Sequence, residues 1–385
     1  MGTERVSRQE LVRRRRDNGF QGRDRELAVF RDNLGRDPLD DAFHFLFHVH
    51  GLAGVGKSSL IRQWEALARR HGLATAMVGD EVHSAVEAME AVSAELGRQG
   101  HPLKKFDKRV AEWRRQRQEA EATRAEPGAE GAEGDPVLTS PSSTLIAQAG
   151  PAGLGLVPGL GPVAGALDPH QLAAATDRAR TSLGTLLHGA RDGHPAPDPT
   201  TALTRAFLED LDQVARGRPG VVLLFDTYER TGPVLDTWVR DMLFTETCGT
   251  MPANVQVVLA GQDRLRAGTW DDWLDQVTRI PLDVFDEDEA RALLASRGIR
   301  DDRVVEVLLR LSGRLPVLLD TLAQARPTDP DAVGDPSGTA VDRFLKWIDT
   351  PAHRAAALAC ALPQRLDEDV YQAVVAEDAA GGYPW

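Results

Sequence analysis

Cysteine is nearly absent from this 385-residue chain: Cys248 and Cys360 stand far apart, neither with a His or Cys neighbour at ligand spacing. That excludes a disulfide framework and a structural zinc site, and it fits a reducing cytoplasm. An excess of positive charge is missing too. The formal net charge of −13 and pI of about 5.3 oppose the phosphate backbone of nucleic acid and the anionic face of a membrane. A DNA contact would have to be local. No apolar core or small-residue cleavage site follows the basic start MGTERVSRQELVRRRR, so export is not expected. Internal repeats are not evident. Lysine is scarce: beside Lys57 stand Lys104, Lys105, Lys108 and Lys346, against plentiful arginine.

What is present suffices for two or three domains, since 42% of the residues are hydrophobic. Residues 1–19 read as a basic arm or helix. The Arg13–Arg16 run is accounted for by a solvated helix face, with a nucleic-acid or partner contact as the alternative. Leu27, Phe30 and Leu34 recur at helical spacing. Ala42 to His50 reads as a strand running into a glycine-rich loop. From Ser58 a helix places Leu60, Ile61, Trp64, Leu67 and Ala68 on one face and stops at Gly72. A charged helix from Leu103 to about Gln118 carries a narrow stripe of Phe106, Val110 and Trp113. Glu119 to Asp135, rich in Ala, Glu, Gly and Pro, reads as an acidic linker. Thr139 to Leu167 has no charged residue. Its length would suit a membrane span, but its glycines and prolines break a helix, so a buried or irregular insert is expected, with a membrane-active segment as the alternative.

Val221 to Phe225 is an apolar run and Val255 to Ala260 a mostly apolar one, of the kind buried parallel strands show. Strands alternating with helices around a glycine loop predict an α/β fold, a doubly wound parallel sheet over residues 20–284 with its ligand at the strand carboxyl ends. Beyond Asp286 the pattern turns helical: Glu289 to Arg297, Asp302 to Leu311 and Leu315 to Ala325 form a small helical domain over 285–330. A Pro/Asp/Gly-rich joint leads to further helical stretches within 339–385.

The chemistry concentrates at Gly51-Leu52-Ala53-Gly54-Val55-Gly56-Lys57-Ser58-Ser59, which satisfies G-x-x-x-x-G-K-[ST]. Glycines permit the turns that aim backbone N–H groups at phosphate oxygens, and the following helix adds its positive end. In this pattern, which binds ATP or ADP, Lys57 holds the β-phosphate and, in ATP, bridges it to the γ-phosphate, and the Ser58 hydroxyl ligates Mg²⁺. Asp226, closing the strand Val221–Phe225, is placed to hold the same Mg²⁺. Glu229 is the candidate base, and a solvated turn carboxylate is its plainer reading. Gln262 and Arg264, after the next strand, are candidates to sense the γ-phosphate. His44, His48 and His50 alternate along the first strand, yet a covered strand leaves little room for a metal there.

FQGRDREL, GLAGVGKSS, VVLLFDTYER, VVLAGQDRL and SGRLPVLL, in this order, resemble the signal-transduction ATPases called STAND, relatives of the NB-ARC, NACHT and AAA+ ATPases. The resemblance covers most of the chain. It implies that Phe20, Gln21 and Arg23 lie near the adenine, that Pro316 of a helical lid faces the base, and that residues 339–385 begin a winged-helix domain. Arg314 stands where the family has the glycine of its Gly-x-Pro motif. The winged helix is too short to hold the family's second-sensor histidine, so a truncated chain is expected. The function implied is a nucleotide-controlled switch with slow ATP hydrolysis, acting through a protein partner or self-assembly. The alternatives are a constitutive ATPase or phosphotransferase, and a DNA-binding ATPase regulator.

Overall fold

The computed structural model describes residues 20–125, 198–333 and 351–360, together with Arg8 and Tyr371. The chain divides into two compact units, Met1–Glu112 with Thr200–Arg354, and Trp113–Pro199 with Ala355–Trp385. The sheet and the glycine loop belong to the first.

That unit is built on five parallel strands: β1 Leu46–His50, β2 Ala74–Val78, β3 Val221–Phe225, β4 Val255–Gly261 and β5 Thr278–Pro281. Their order is β2-β3-β4-β1-β5. Every residue of β3 and β4 is buried, which is why these strands are apolar instead of alternating, save for Gln256, whose side-chain oxygen accepts from Asn33 Nδ2 at 3.0 Å. Parallel strands need long crossovers, here supplied by helices. In chain order these are α1 Asp24–Leu34, α2 Lys57–Arg70, α3 Ala85–Arg98, α4 Lys104–Ala125, α5 Pro199–Arg216, α6 Tyr228–Phe244 and the short α7 Ala267–Trp270.

Side chains of opposite parity face opposite layers. Phe47, Val49, Val222, Leu224, Val258 and Ala260 share a cluster with Phe30 of α1 and Leu60, Ile61 and Trp64 of α2. Phe30 stacks on Trp64 with ring centres 4.6 Å apart and meets Phe47 edge-on at 5.6 Å. Phe225 points the other way and meets Tyr228 and Trp238 of α6 edge-on. Helices therefore cover both faces, and the α/β, doubly wound fold is as expected. The register sets Phe225, Leu259 and His48 in one row, so β3, β4 and β1 finish almost level.

Three further helices, α8 Glu287–Ser296, α9 Asp302–Ser312 and α10 Pro316–Gln324, enclose their own core of Phe285, Leu294, Val304, Leu308, Leu319 and Ala323. Local sequence explains their ends: Asp286 and Glu289 form a capping box, Asp301 caps α9, Gly313 ends it with φ of 54°, and Pro316 opens α10.

Some expectations need adjusting. The strand expected over 42–50 is shorter, because the Asp37 and Asp40 side chains accept the Leu39 and Ala42 N–H groups and hold the preceding residues in turns. Helix α4 runs on to Ala125, into the segment read as acidic linker. Its start is capped from a distance, Asp210 of α5 accepting the Lys105 and Phe106 N–H groups at 2.7 and 3.1 Å. The uncharged stretch 139–167 lies outside the described residues, as does the arm apart from Arg8. Within 339–385 only α11, Pro351–Cys360, and Tyr371 are described. Among the described residues no helix is long and apolar enough to cross a membrane.

Phe30 is fully buried between two aromatic rings. Phe30→Ala is expected to lower stability by about 3–5 kcal/mol in urea unfolding; a loss near zero would mean that the α1 layer is not part of the cooperative core.

Candidate functional site

Gly51 to Lys57 turn from the end of β1 into α2. Gly51 has φ of 152°, and a Cβ there would run into the Leu282 carbonyl oxygen, so no side chain fits. Gly56 has φ of 99° and directly precedes α2. Between them Val55 is fully buried and anchors the loop in the core, while Leu52 is exposed and Ala53 half-buried. The Lys57 ammonium lies back over the loop, donating to the Gly51 and Leu52 carbonyls at 2.6 and 2.8 Å. Burial lowers the Lys57 pKa, opposed by the negative charges of Glu229, Asp226 and Asp263. Ser59 is exposed at the start of α2.

Across the sheet, Asp226 closes β3 and is largely buried. Its Oδ1 accepts the Ser58 hydroxyl at 2.8 Å and the Thr227 N–H at 3.0 Å, and its Oδ2 lies 3.6 Å from Arg62 of α2. Thr227 has φ of 57°, an unfavourable conformation for a β-branched residue. The turn it makes starts α6 and lets Glu229 reach Gln262. The Gln262 backbone N–H donates to Glu229 Oε2 at 3.0 Å and its side-chain amide to Oε1 at 2.9 Å. Arg264, beyond Gln262, is exposed.

The opening motif reaches the loop through Arg23. This residue has φ of 64°, is buried, and donates from Nη2 to the Val55 carbonyl at 3.1 Å and to the Asp283 carbonyl. Its backbone N–H donates to Glu289 of α8 at 2.6 Å, and its guanidinium lies 5.0 Å from the Phe285 ring centre. Phe20 packs against the sheet core, and Gln21 is half-buried. Pro316 is half-buried as the first residue of α10, and the next residue, Val317, donates its N–H to the Gly54 carbonyl at 3.2 Å. Arg314 has φ of 60°: it holds the left-handed conformation that a glycine would adopt freely.

No protein-family model and no curated relative matches the chain. Among solved structures, a Walker-type ATPase of Pyrococcus abyssi aligns at 12% identity and a TM-score of 0.44, over 99% of this chain and 92% of that one. Cdc6p from Pyrobaculum aerophilum aligns at 12% identity and 0.38, over 100% and 83%. Drosophila ORC, in its structure bound to DNA, aligns at 13% identity and 0.37, over 97% and 68%. Likeness of this extent assigns neither activity nor partner.

The donor set suits a nucleotide with Mg²⁺. Backbone N–H groups at a helix N-terminus favour phosphate, and a hydroxyl with a carboxylate supplies the hard oxygens that Mg²⁺ takes beside its waters. The histidines are arranged differently from the sequence expectation of one shared face. His48 and His50 stack at 5.0 Å, but His44 precedes β1 and lies edge-on to Phe47. Among the described residues no cluster of three His, Cys, Asp or Glu side chains is placed to hold a metal. Burial, then His50, pushes His48 down to about 3. His50 is lowered as well, by burial and then by Arg264, Arg279 and Lys57.

Three residues at the site lie outside the fixed positions of its recognisable sequence motifs: Arg62, Thr227 and Glu289. Arg62 stands four residues after Ser58, one helical turn along the same face. Glu289 stands three residues after Asp286, the D-x-x-E spacing of a capping box. Thr227 carries no sequence signal, since its backbone angle is imposed by the surrounding packing.

With a folded-state value below the ordinary 6.5, His48 takes up a proton in the unfolded chain first as pH falls, so stability drops between pH 6.5 and about 3. Between pH 6.5 and 5 this residue is expected to remove about 2 kcal/mol. His48→Gln should flatten that part of the profile in urea melts at pH 7 and 5; an unchanged slope would contradict it.

Proposed function

We propose that the chain is an ATP- and ADP-binding switch of the signal-transduction ATPase kind, with Mg²⁺ as its metal and slow hydrolysis as its reset. The observation that carries this reading is the bond from Val317 of α10 to the Gly54 carbonyl, 3.2 Å long. It joins the three-helix bundle to the very loop whose motif belongs to phosphate binding. A ligand can bias a conformation only through contacts that differ between two states, and this junction is where such a difference would arise. Arg23 supports the same coupling, because one residue holds both the Val55 carbonyl of the loop and Glu289 of α8.

In this reading the loop amides and Lys57 hold the phosphates, and Ser58 and Asp226 hold Mg²⁺, whose bound charge would offset that of the phosphate oxygens. Phe20, Gln21 and Arg23 lie on the base side, and Pro316 brings α10 towards it. Gln262 and Arg264 read the γ-phosphate. Glu229 is the base, and both its oxygens are engaged by Gln262. These two donations draw on one lone pair of each oxygen and weaken the carboxylate as a base, which favours slow turnover. The output passes to a protein partner or to self-assembly, with a cytoplasmic location.

The test is the nucleotide released when the purified chain is denatured, identified by chromatography. Near-stoichiometric ADP is expected, whereas an empty site with rapid ATP turnover would replace the switch by a constitutive ATPase. Lys57→Ala removes a charge-assisted contact and should weaken ATP binding about 10- to 150-fold; unchanged affinity would refute the assignment of the loop.

A further inference from the structure

Asp226 has more partners than a metal ligand requires. Its Oδ1 is engaged by the Ser58 hydroxyl and the Thr227 N–H, at 2.8 and 3.0 Å. Its Oδ2 faces Arg62 Nη2 at 3.6 Å, which is an ion-pair distance and too long for a hydrogen bond. The two partners are not equally held. The Asp226 side chain is 11% exposed, so its charge needs an answer from within the protein, while the Arg62 side chain is 47% exposed. Arg62 can therefore swing its guanidinium into water on its aliphatic stem. Ser58 and Arg62 are four apart on α2, so one helix face presents a hydroxyl and a cation to the same carboxylate.

We propose that Arg62 is an internal counter-cation of this site, competing with a divalent cation for Asp226 Oδ2. It thereby sets the Mg²⁺ concentration at which nucleotide loads. The proposal rests on the nucleotide reading of the loop. The ion pair is loose enough to yield to a doubly charged cation, yet it keeps the buried carboxylate balanced and aimed at Ser58. A purely structural Arg62 would alter stability and leave the metal dependence alone. An Arg62 that grips phosphate would instead weaken nucleotide binding at saturating metal.

The experiment is binding of a fluorescent ADP analogue by the full chain across a Mg²⁺ titration, at constant ionic strength. Arg62→Gln is expected to lower the Mg²⁺ midpoint about two- to fivefold, the range that a partly exposed ion pair supports, with affinity at saturating Mg²⁺ unchanged. Arg62→Lys, which keeps the charge, should stay near the parent value. If Arg62→Gln loses its cooperative thermal transition, Arg62→Met preserves the stem and takes its place. A midpoint that is unchanged or raised, or a weaker affinity at saturating Mg²⁺, would overturn the proposal while leaving the nucleotide site intact. Failure of the parent chain to bind ADP at any Mg²⁺ concentration would overturn both.

Discussion

A 2.8 Å hydrogen bond from the Ser58 hydroxyl to Asp226 joins the first turn of α2 to the end of β3, and the site is organised around it. The two strands concerned are not neighbours, because β4 lies between β1 and β3. The bond is possible only because the three strands end nearly level, which the register fixes through the pairing of Leu259 with both His48 and Phe225. A slip of one residue would turn every side chain of a strand to the opposite face and move Asp226 away from Ser58. The aromatic layer of Phe30, Phe47 and Trp64 opposes such a slip, since each ring is fully buried against the others.

Around that bond, charge is distributed with little slack. Lys57 rests on loop carbonyls, Arg62 on Asp226, and Gln262 on both oxygens of Glu229. Buried polar groups need partners, so the site supplies its own. Each of these contacts is also one that a nucleotide with its metal could exchange for a stronger one. Exchange of partners, more than creation of new ones, is how such a rim would register a ligand. Glu289 and Val317 extend the same logic to the three-helix bundle, since their partners are the backbone of Arg23 and of Gly54.

Much of this was legible from the sequence. The glycine loop announced itself because its backbone angles exclude most side chains, and β3 and β4 because strands covered on both faces must be apolar. The helices of the bundle were legible from the helical pattern beyond Asp286 and from Gly298 and Gly313, which stop it, whereas their N-terminal caps at Asp286 and Asp301 emerged from the structure. Less legible was anything decided by long-range packing: the shortened β1, the capping of α4 by Asp210, and the separation of His44 from the other two histidines. Arg23 shows the limit most clearly. Its guanidinium reaches the Val55 and Asp283 carbonyls, a role that no local pattern encodes.

The central claim is that the occupant of the loop alters how the bundle is held, and the Val317 amide reports on that contact. Hydrogen exchange at this amide would be followed with Mg²⁺ and either ADP or a non-hydrolysable ATP analogue, at saturating concentrations. Strong protection with ADP and clearly faster exchange with the ATP analogue is the predicted result. Equal protection with both nucleotides would contradict the switch.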